Sequence, residues 1–183
     1  PFENKEWFKD NFPADFISEY VAQVRAWFYY MHVISVMLFD KAPFRNVAVS
    51  GNVLASDGTK MSKSKKNFPD PNLIFEKYGA DALRYYLMAS PLMRAQDLNF
   101  QEDGVREIYR KVIVLLNNVN SFYNLFKDDN AELNKPSQKN ILDKWIVSKT
   151  HLLIRNVTNA LDDYDTIIPC SQLVEFIDDL STW

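Results

Sequence analysis

The chain has 183 residues, 47% of them hydrophobic and 14% aromatic, with 21 Lys and Arg against 24 Asp and Glu for a formal charge of -3. That composition supports a packed core of one large domain or two small ones, and it excludes both a disordered chain and a global positive field that would draw in nucleic acid. A lone Cys170 and two separated histidines exclude an internal disulfide framework and a cysteine-only metal site, and no apolar run reaches the ~20 residues that span a bilayer.

Residues 14 to 20, ADFISEY, alternate apolar and polar groups like a short strand, and a strongly apolar helical stretch follows from about Val21 to Leu38. Pro43 interrupts it, and Asn46 to Ser50 reads as a second strand. A strand, helix, strand unit favours a parallel sheet with a right-handed crossover. In open parallel sheets ligands bind beyond the carboxyl ends of the strands, where Glu19 and Ser50-Gly51 lie in this sequence.

The run GNVLASDGTKMSKSKKNFPDP follows, from Gly51 to Pro71. Asp57-Gly58 is a tight-turn dipeptide between Val53-Leu54-Ala55 and Lys60-Met61, so Lys60 to Ser64 should sit on a hairpin arm. Met61 anchors the apolar side of that arm, while Lys60, Lys63, Lys65 and Lys66 face outward. Two ammonium groups and two hydroxyls on a short mobile loop suit a triphosphate whose position changes as pyrophosphate departs. The bland alternative is a solvated basic loop or a targeting patch.

Asp70-Pro71 supplies an N-cap acceptor and a first-turn proline for a short helix over Asn72 to Lys77. Gly79-Ala80-Asp81 opens another, which Pro91 ends. Asn99 and Glu102 resemble a capping pair before a long helix with Val105, Ile108, Val112, Leu115, Leu116 and Val119 on its apolar face. Polar residues 127 to 137 read as a linker, and a further helix is expected from about Ser137 to Leu161 with Ile141, Trp145, Ile146, Leu152 and Leu153 on one side. The chain opens on Pro1 without a methionine and stops inside an apolar pattern (Leu173, Phe176, Ile177, Leu180, Trp183), so both ends are expected to lie within a longer polypeptide.

The tract ADFISEYVAQVRAWFYYMHVIS, the loop Lys60-Met61-Ser62-Lys63-Ser64, and KYGADALRYYLMASP together resemble the second half of the catalytic domain of class I aminoacyl-tRNA synthetases. The lysine loop marks the superclass; the tract before it and RAQDLNFQEDGVREI after it resemble the isoleucyl branch. The resemblance implies an α/β, Rossmann-type catalytic half over residues 1–67 and a stem-contact region over 68–100. The start of an all-α anticodon-binding bundle would follow over 101–183. By the same resemblance, Lys63 and Lys60 match the two catalytic lysines, with Lys63 contacting ATP phosphate, Lys60 assisting, and Ser62 and Ser64 shaping the loop. Glu19 matches an acidic contact to the aminoacyl-adenylate, Gln23 a glutamine lining that pocket, and Trp27 a tryptophan of the adjoining helix. Gly51 is placed with the nucleotide-binding residues.

Two departures fall near that pocket: Ala26 stands where the family usually has glycine, and Ser50 where relatives often have histidine. Each assignment has a structural rival. Glu19 could be an exposed strand-end carboxylate and Gln23 a satisfied polar group at a helix start. Trp27, Phe28, Tyr29 and Tyr30 read as core and interface, His32 as a buried, hydrogen-bonded histidine, and Arg84, Arg94 and Arg106 as surface ion pairs. The implied reaction joins isoleucine, ATP and tRNA(Ile), with Mg²⁺ entering on the nucleotide and no zinc in this segment. A cytoplasmic protein without membrane contact, and a monomer, are expected. A valyl or leucyl enzyme and a noncatalytic RNA-binding module remain as alternatives.

Overall fold

In the computed structural model, which describes residues 2–62, 64–127 and 140–182, helix α1 (Lys5–Asn11) precedes strand β1 (Ala14–Tyr20), and strand β2 (Phe44–Ser50) returns parallel to β1. Phe16 stands opposite Asn46, Glu19 opposite Val49 and Tyr20 opposite Ser50. Parallel neighbours need a crossover, and the apolar stretch between them supplies it. It is not the continuous helix expected from Val21: a 3-10 turn, Val21–Arg25, comes first, and helix α2 runs over Trp27–Phe39. The break falls at Ala26, whose backbone (φ -117°, ψ -118°) is not helical and whose N–H donates to Gln23 O at 3.0 Å. Asp40 ends α2 in the left-handed region (φ 51°), which a short polar side chain tolerates.

These elements, with the chain up to Val53 and Pro91–Leu98, make one of two compact units. Its interior is aromatic. Phe28 is buried with its ring centroid 6.2 Å from that of Phe44, and Phe8 stacks on Phe12 with both rings tilted against Phe39, the centroids 4.6 to 5.1 Å apart. Buried Ser35 donates to Lys41 O at 2.7 Å, which satisfies its hydroxyl and ties the end of α2 to the turn into β2. Of the aromatic run read as core and interface, Phe28 alone is core; Trp27, Tyr29 and Tyr30 are exposed. His32 is exposed too, which corrects its reading as a buried histidine, because α2 buries only Phe28 and Ser35 and leaves the rest of its side chains partly or fully in solvent.

The second unit holds Leu54–Ser90 and the chain from Asn99 onward. Helix α3 (Pro71–Tyr78) begins as expected, with Asp70 accepting from Asn72 N at 2.9 Å and proline in the first turn. Gly79 (φ 80°) turns the chain directly into α4 (Ala80–Met88). The expected capping pair does not form: Asn99 lies in the short strand β4 (Leu98–Asn99), paired with β3 (Val53–Leu54), and Gln101 is the N-cap of α5 (Glu102–Ile108). Glu102 is drawn instead toward α3, where it accepts from Lys77 Nζ at 2.9 Å and Tyr78 OH at 3.1 Å. The long helix continues through a π-helical stretch, Tyr109–Val114, into α6 (Leu115–Phe126).

Helix α7 (Ile141–Asp162), capped by Asn140, and α8 (Ile167–Thr182), capped by Asp165, form a hairpin. The linker lies mostly outside the described residues, as does the expected start at Ser137. Ile146 and Leu153 lie on the inward stripe of α7 with Leu142, Lys149 and Val157, whereas Ile141 and Leu152 are exposed, so the apolar face is rotated from the expected one. Lys149 bridges to α8, 2.7 Å from Asp179 and 3.6 Å from Glu175. Fully buried Ala82, Val105 and Ile177 mark where α4, α5 and α8 meet, and Tyr85 OH donates to Cys170 O. Gly104 lies against the Tyr86 ring, which packs edge-on to Phe100, so a side chain there would collide with the ring.

Candidate functional site

In the first unit, Glu19 is the penultimate residue of β1 and Gln23 sits in the turn after it. Glu19 is exposed, and Oε1 accepts from Tyr20 N at 3.1 Å. Gln23 is half-buried and its carbonyl closes the turn at Ala26. Gly51, just past β2, is buried, and its N–H donates to Leu92 O at 2.8 Å. A Cβ at Gly51 would overlap the Gln96 carbonyl, so glycine is required there by backbone contact alone. Next to it, Asp97 accepts from both the N–H (3.0 Å) and the side-chain amide (2.8 Å) of Asn52, which hold its carboxyl below the usual carboxylate range. β1, β2 and the 91–98 segment thus bring Glu19, Gln23 and Gly51 to the carboxyl ends of the parallel strands.

The lysine loop belongs to the second unit and is the hairpin arm its turn dipeptide called for. Leu54 and Lys60 form an antiparallel bridge, Ala55 N donates to Thr59 O at 2.8 Å, and Gly58 turns the chain at φ 79°. Asp57 accepts from Thr59 N (2.9 Å) and Thr59 Oγ1 (2.7 Å), and these bonds lower its carboxyl pKa. Lys60, Ser64, Lys65 and Lys66 are exposed and Met61 is half-buried, as the arm requires. Lys63 lies outside the described residues.

Beyond the arm, Ser62 organises a turn. Its carbonyl accepts from Lys66 N at 3.1 Å and its hydroxyl from Lys65 N at 3.2 Å, and Ser62 Oγ lies 3.2 Å from Ser64 Oγ. Lys66 adopts the left-handed conformation (φ 48°). The side chain that closes this turn is Asn67, to which sequence reasoning gave no role. Its Oδ1 accepts from Ser62 N at 2.9 Å, and its Nδ2 donates to Thr59 Oγ1 and Lys60 O, both at 3.1 Å. The signal was local and present: asparagine is the residue whose amide can serve nearby backbone groups as donor and acceptor at once. Under the loop lies a cleft of about 470 Å³ with Met61, Phe68, Phe100 and Gln101 in its wall.

Exposed ammonium groups and hydroxyls on a held hairpin can take a polyanion. Among the described residues no three His, Cys, Asp or Glu side chains converge. Arg84 and Arg106 pair with Asp81 (3.2 Å) and Asp103 (2.9 Å), as expected of surface arginines.

A family model described as tRNA synthetases class I (I, L, M and V) matches residues 1–101. The chain belongs to that family. Among curated relatives of this class I synthetase chain, the cytoplasmic isoleucine--tRNA ligase of Schizosaccharomyces pombe is 46% identical across 100% of the chain, and that of Caenorhabditis elegans 45% across 99%. The isoleucine--tRNA ligase of Treponema denticola is 43% identical across 100% of the chain. The chain spans only 17 to 18% of the length of these relatives. A solved ternary complex of Agrobacterium radiobacter K84 agnB2 LeuRS with tRNA and LeuAMS superposes with a TM-score of 0.72 and 21% identity, covering 93% of this chain and 23% of that one. The class I synthetase fold follows from it. No helix among the described residues is long and apolar enough to cross a membrane.

Proposed function

We propose that this class I synthetase chain is the lysine-loop portion of an isoleucine--tRNA ligase, and that the whole protein activates isoleucine with ATP and esterifies it to tRNA(Ile) in the cytoplasm. The observation that carries this reading is identity of 43 to 46% with isoleucine--tRNA ligases, held along 99 to 100% of the chain rather than in the loop alone. Residues 1–67 then belong to the Rossmann-type catalytic part, 68–100 to a stem-contact region, and the helices after 101 to the anticodon-binding bundle.

In the proposed reaction a carboxylate oxygen of isoleucine attacks the α-phosphorus of ATP. The bond from that phosphorus to the bridging oxygen breaks, and pyrophosphate leaves with the electron pair. A hydroxyl of the tRNA's 3'-terminal ribose then attacks the acyl carbon, the bond from that carbon to the phosphate oxygen breaks, the hydroxyl proton is released, and AMP departs with the electron pair. The first step needs positioning and stabilisation of negative charge rather than proton chemistry. Lys60 and Lys63 supply positive charge to the departing phosphates, and Ser62 and Ser64 hold the loop's shape. Glu19, Gln23 and Gly51 line the adenylate side, with Glu19 free to exchange its contact with Tyr20 N for one to the ligand. Mg²⁺ accompanying ATP would neutralise part of the phosphate charge.

The test is isoleucine-dependent pyrophosphate exchange by the full-length protein and its Lys63→Ala variant, with valine and leucine as alternative substrates. Removing one charge-stabilising donor should raise the barrier by roughly 3 kcal/mol while leaving the isoleucine KM in place. Faster exchange with valine or leucine would move the protein to a sister branch. An unaltered rate in the variant would remove the loop from catalysis.

A further inference from the structure

The lysine loop has an unusual support for an exposed segment. Three of the four hydrogen-bonding capacities of one amide, Asn67, are spent on three different residues of the loop: Ser62 N–H, Thr59 Oγ1 and Lys60 O. The orientation of the amide is fixed by these partners, because exchanging Oδ1 and Nδ2 would set a donor against Ser62 N–H and an acceptor against Lys60 O. The chain of bonds continues. Thr59 Oγ1, which accepts from Asn67, donates to Asp57 at 2.7 Å, and the bonds from Thr59 hold the Asp57 carboxyl below its ordinary range. A continuous network therefore runs from the hairpin turn through Asn67 to Ser62, whose hydroxyl meets Ser64 Oγ and Lys65 N. It fixes the carbonyl of Lys60 and the N–H of Ser62, the backbone on either side of Met61, while the Lys60 side chain stays exposed.

We propose that Asn67 is a positioning residue for ATP activation: it touches no substrate itself, but sets the backbone that carries Lys60 and Ser62 so that the loop meets the nucleotide preformed. This rests on the reading of the loop as the phosphate-binding element. The energetic reason is that a loop backbone free to sample many conformations must lose that freedom in each catalytic cycle, whereas a backbone held by these bonds has lost part of it on folding.

The experiment compares Asn67→Ala, Thr59→Val, their combination, and Lys60→Ala/Lys63→Ala in the full-length protein. It measures kcat and KM for ATP and isoleucine in pyrophosphate exchange, together with thermal midpoints. Loss of the amide should lower kcat about 10- to 100-fold, the scale of a small misplacement of a reacting group, with the isoleucine KM and thermal midpoint unchanged. Thr59→Val should give a smaller loss in the same direction, and the double variant should lose less than the product of the two, because both act through one network. If Asn67→Ala keeps full kcat while the lysine variant is impaired, the positioning role is overturned and the loop reading stands. A loss of kcat that comes with a raised isoleucine KM and a lowered midpoint would make Asn67 merely structural. A lysine variant at full rate overturns both readings. Should Asn67→Ala fail to fold, Thr59→Val alone decides by the same criteria.

Discussion

Gly51 shows how one residue can satisfy two readings that only a measurement separates. The resemblance places it among the nucleotide contacts, while the structure gives it a reason of its own: its N–H bonds Leu92 O, and its α-carbon lies so close to the Gln96 backbone that no Cβ fits. Gly51→Ala must push the 91–96 turn away from the end of β2, a displacement of backbone rather than of a flexible side chain. The cost should exceed the about 1–3 kcal/mol of ordinary overpacking. Chemical denaturation of the full-length protein would register it as a lowered midpoint; an unchanged midpoint would leave ligand contact as the explanation for glycine. Asn67 illustrates the complementary case. Its residue type advertised backbone bonding, yet which groups it serves depends on a turn at Ser62 that no periodicity reveals.

At the scale of elements, what was legible in the sequence is what local chemistry decides. Asp70-Pro71 starts α3 and Asp57-Gly58 turns the hairpin because the cap and the turn need no distant partner. The break at Ala26 carried no breaker residue in this chain, only the departure from the glycine usual in the family, and Glu102 left its expected capping role for Lys77 and Tyr78, 25 and 24 residues earlier. That choice has a pH signature. The bond from Lys77, and then that from Tyr78, hold the Glu102 carboxyl below its ordinary 4.5, while Glu102 in turn raises Lys77 above 10.5. A lowered carboxylate contributes stability above its unfolded pKa and loses it as pH falls through the folded value. A raised amine contributes below 10.5 and loses it as pH rises through the folded value. The stability difference between wild type and Glu102→Gln should therefore be flat at neutral pH and shrink at both extremes. Denaturant midpoints across pH 3 to 11 would show it, and a difference independent of pH would detach Glu102 from this pair.

The chain taken whole is a class I synthetase segment with unequal interiors. The helical unit buries Ile74, Ala82, Val105, Val112 and Ile177 yet exposes Phe122, Leu125 and Phe126, and the strand unit leaves much of α2 in solvent, with Met37 80% and Leu38 67% exposed. Apolar side chains exposed in clusters mark surfaces that other groups can cover. The proposed reaction also requires amino acid, ATP and lysine loop to be held together, and the chain spans only 17 to 18% of the length of its relatives. If the proposed function holds, the 183-residue chain alone should give far less isoleucine-dependent pyrophosphate exchange than the full-length protein, because adenylate formation depends on the effective concentration gained by holding the isoleucine carboxylate and ATP together. Its exposed α2 face should bind an apolar dye such as ANS more strongly, per mole, than the full-length protein does. With a formal charge of -3 it should hold tRNA only through the basic loop, in contacts that weaken steeply as salt rises. Exchange assays on the two proteins, run side by side with dye titrations, decide the matter: robust exchange by the short chain would mean that the lysine loop and the strand ends of Glu19 and Gly51 suffice for activation.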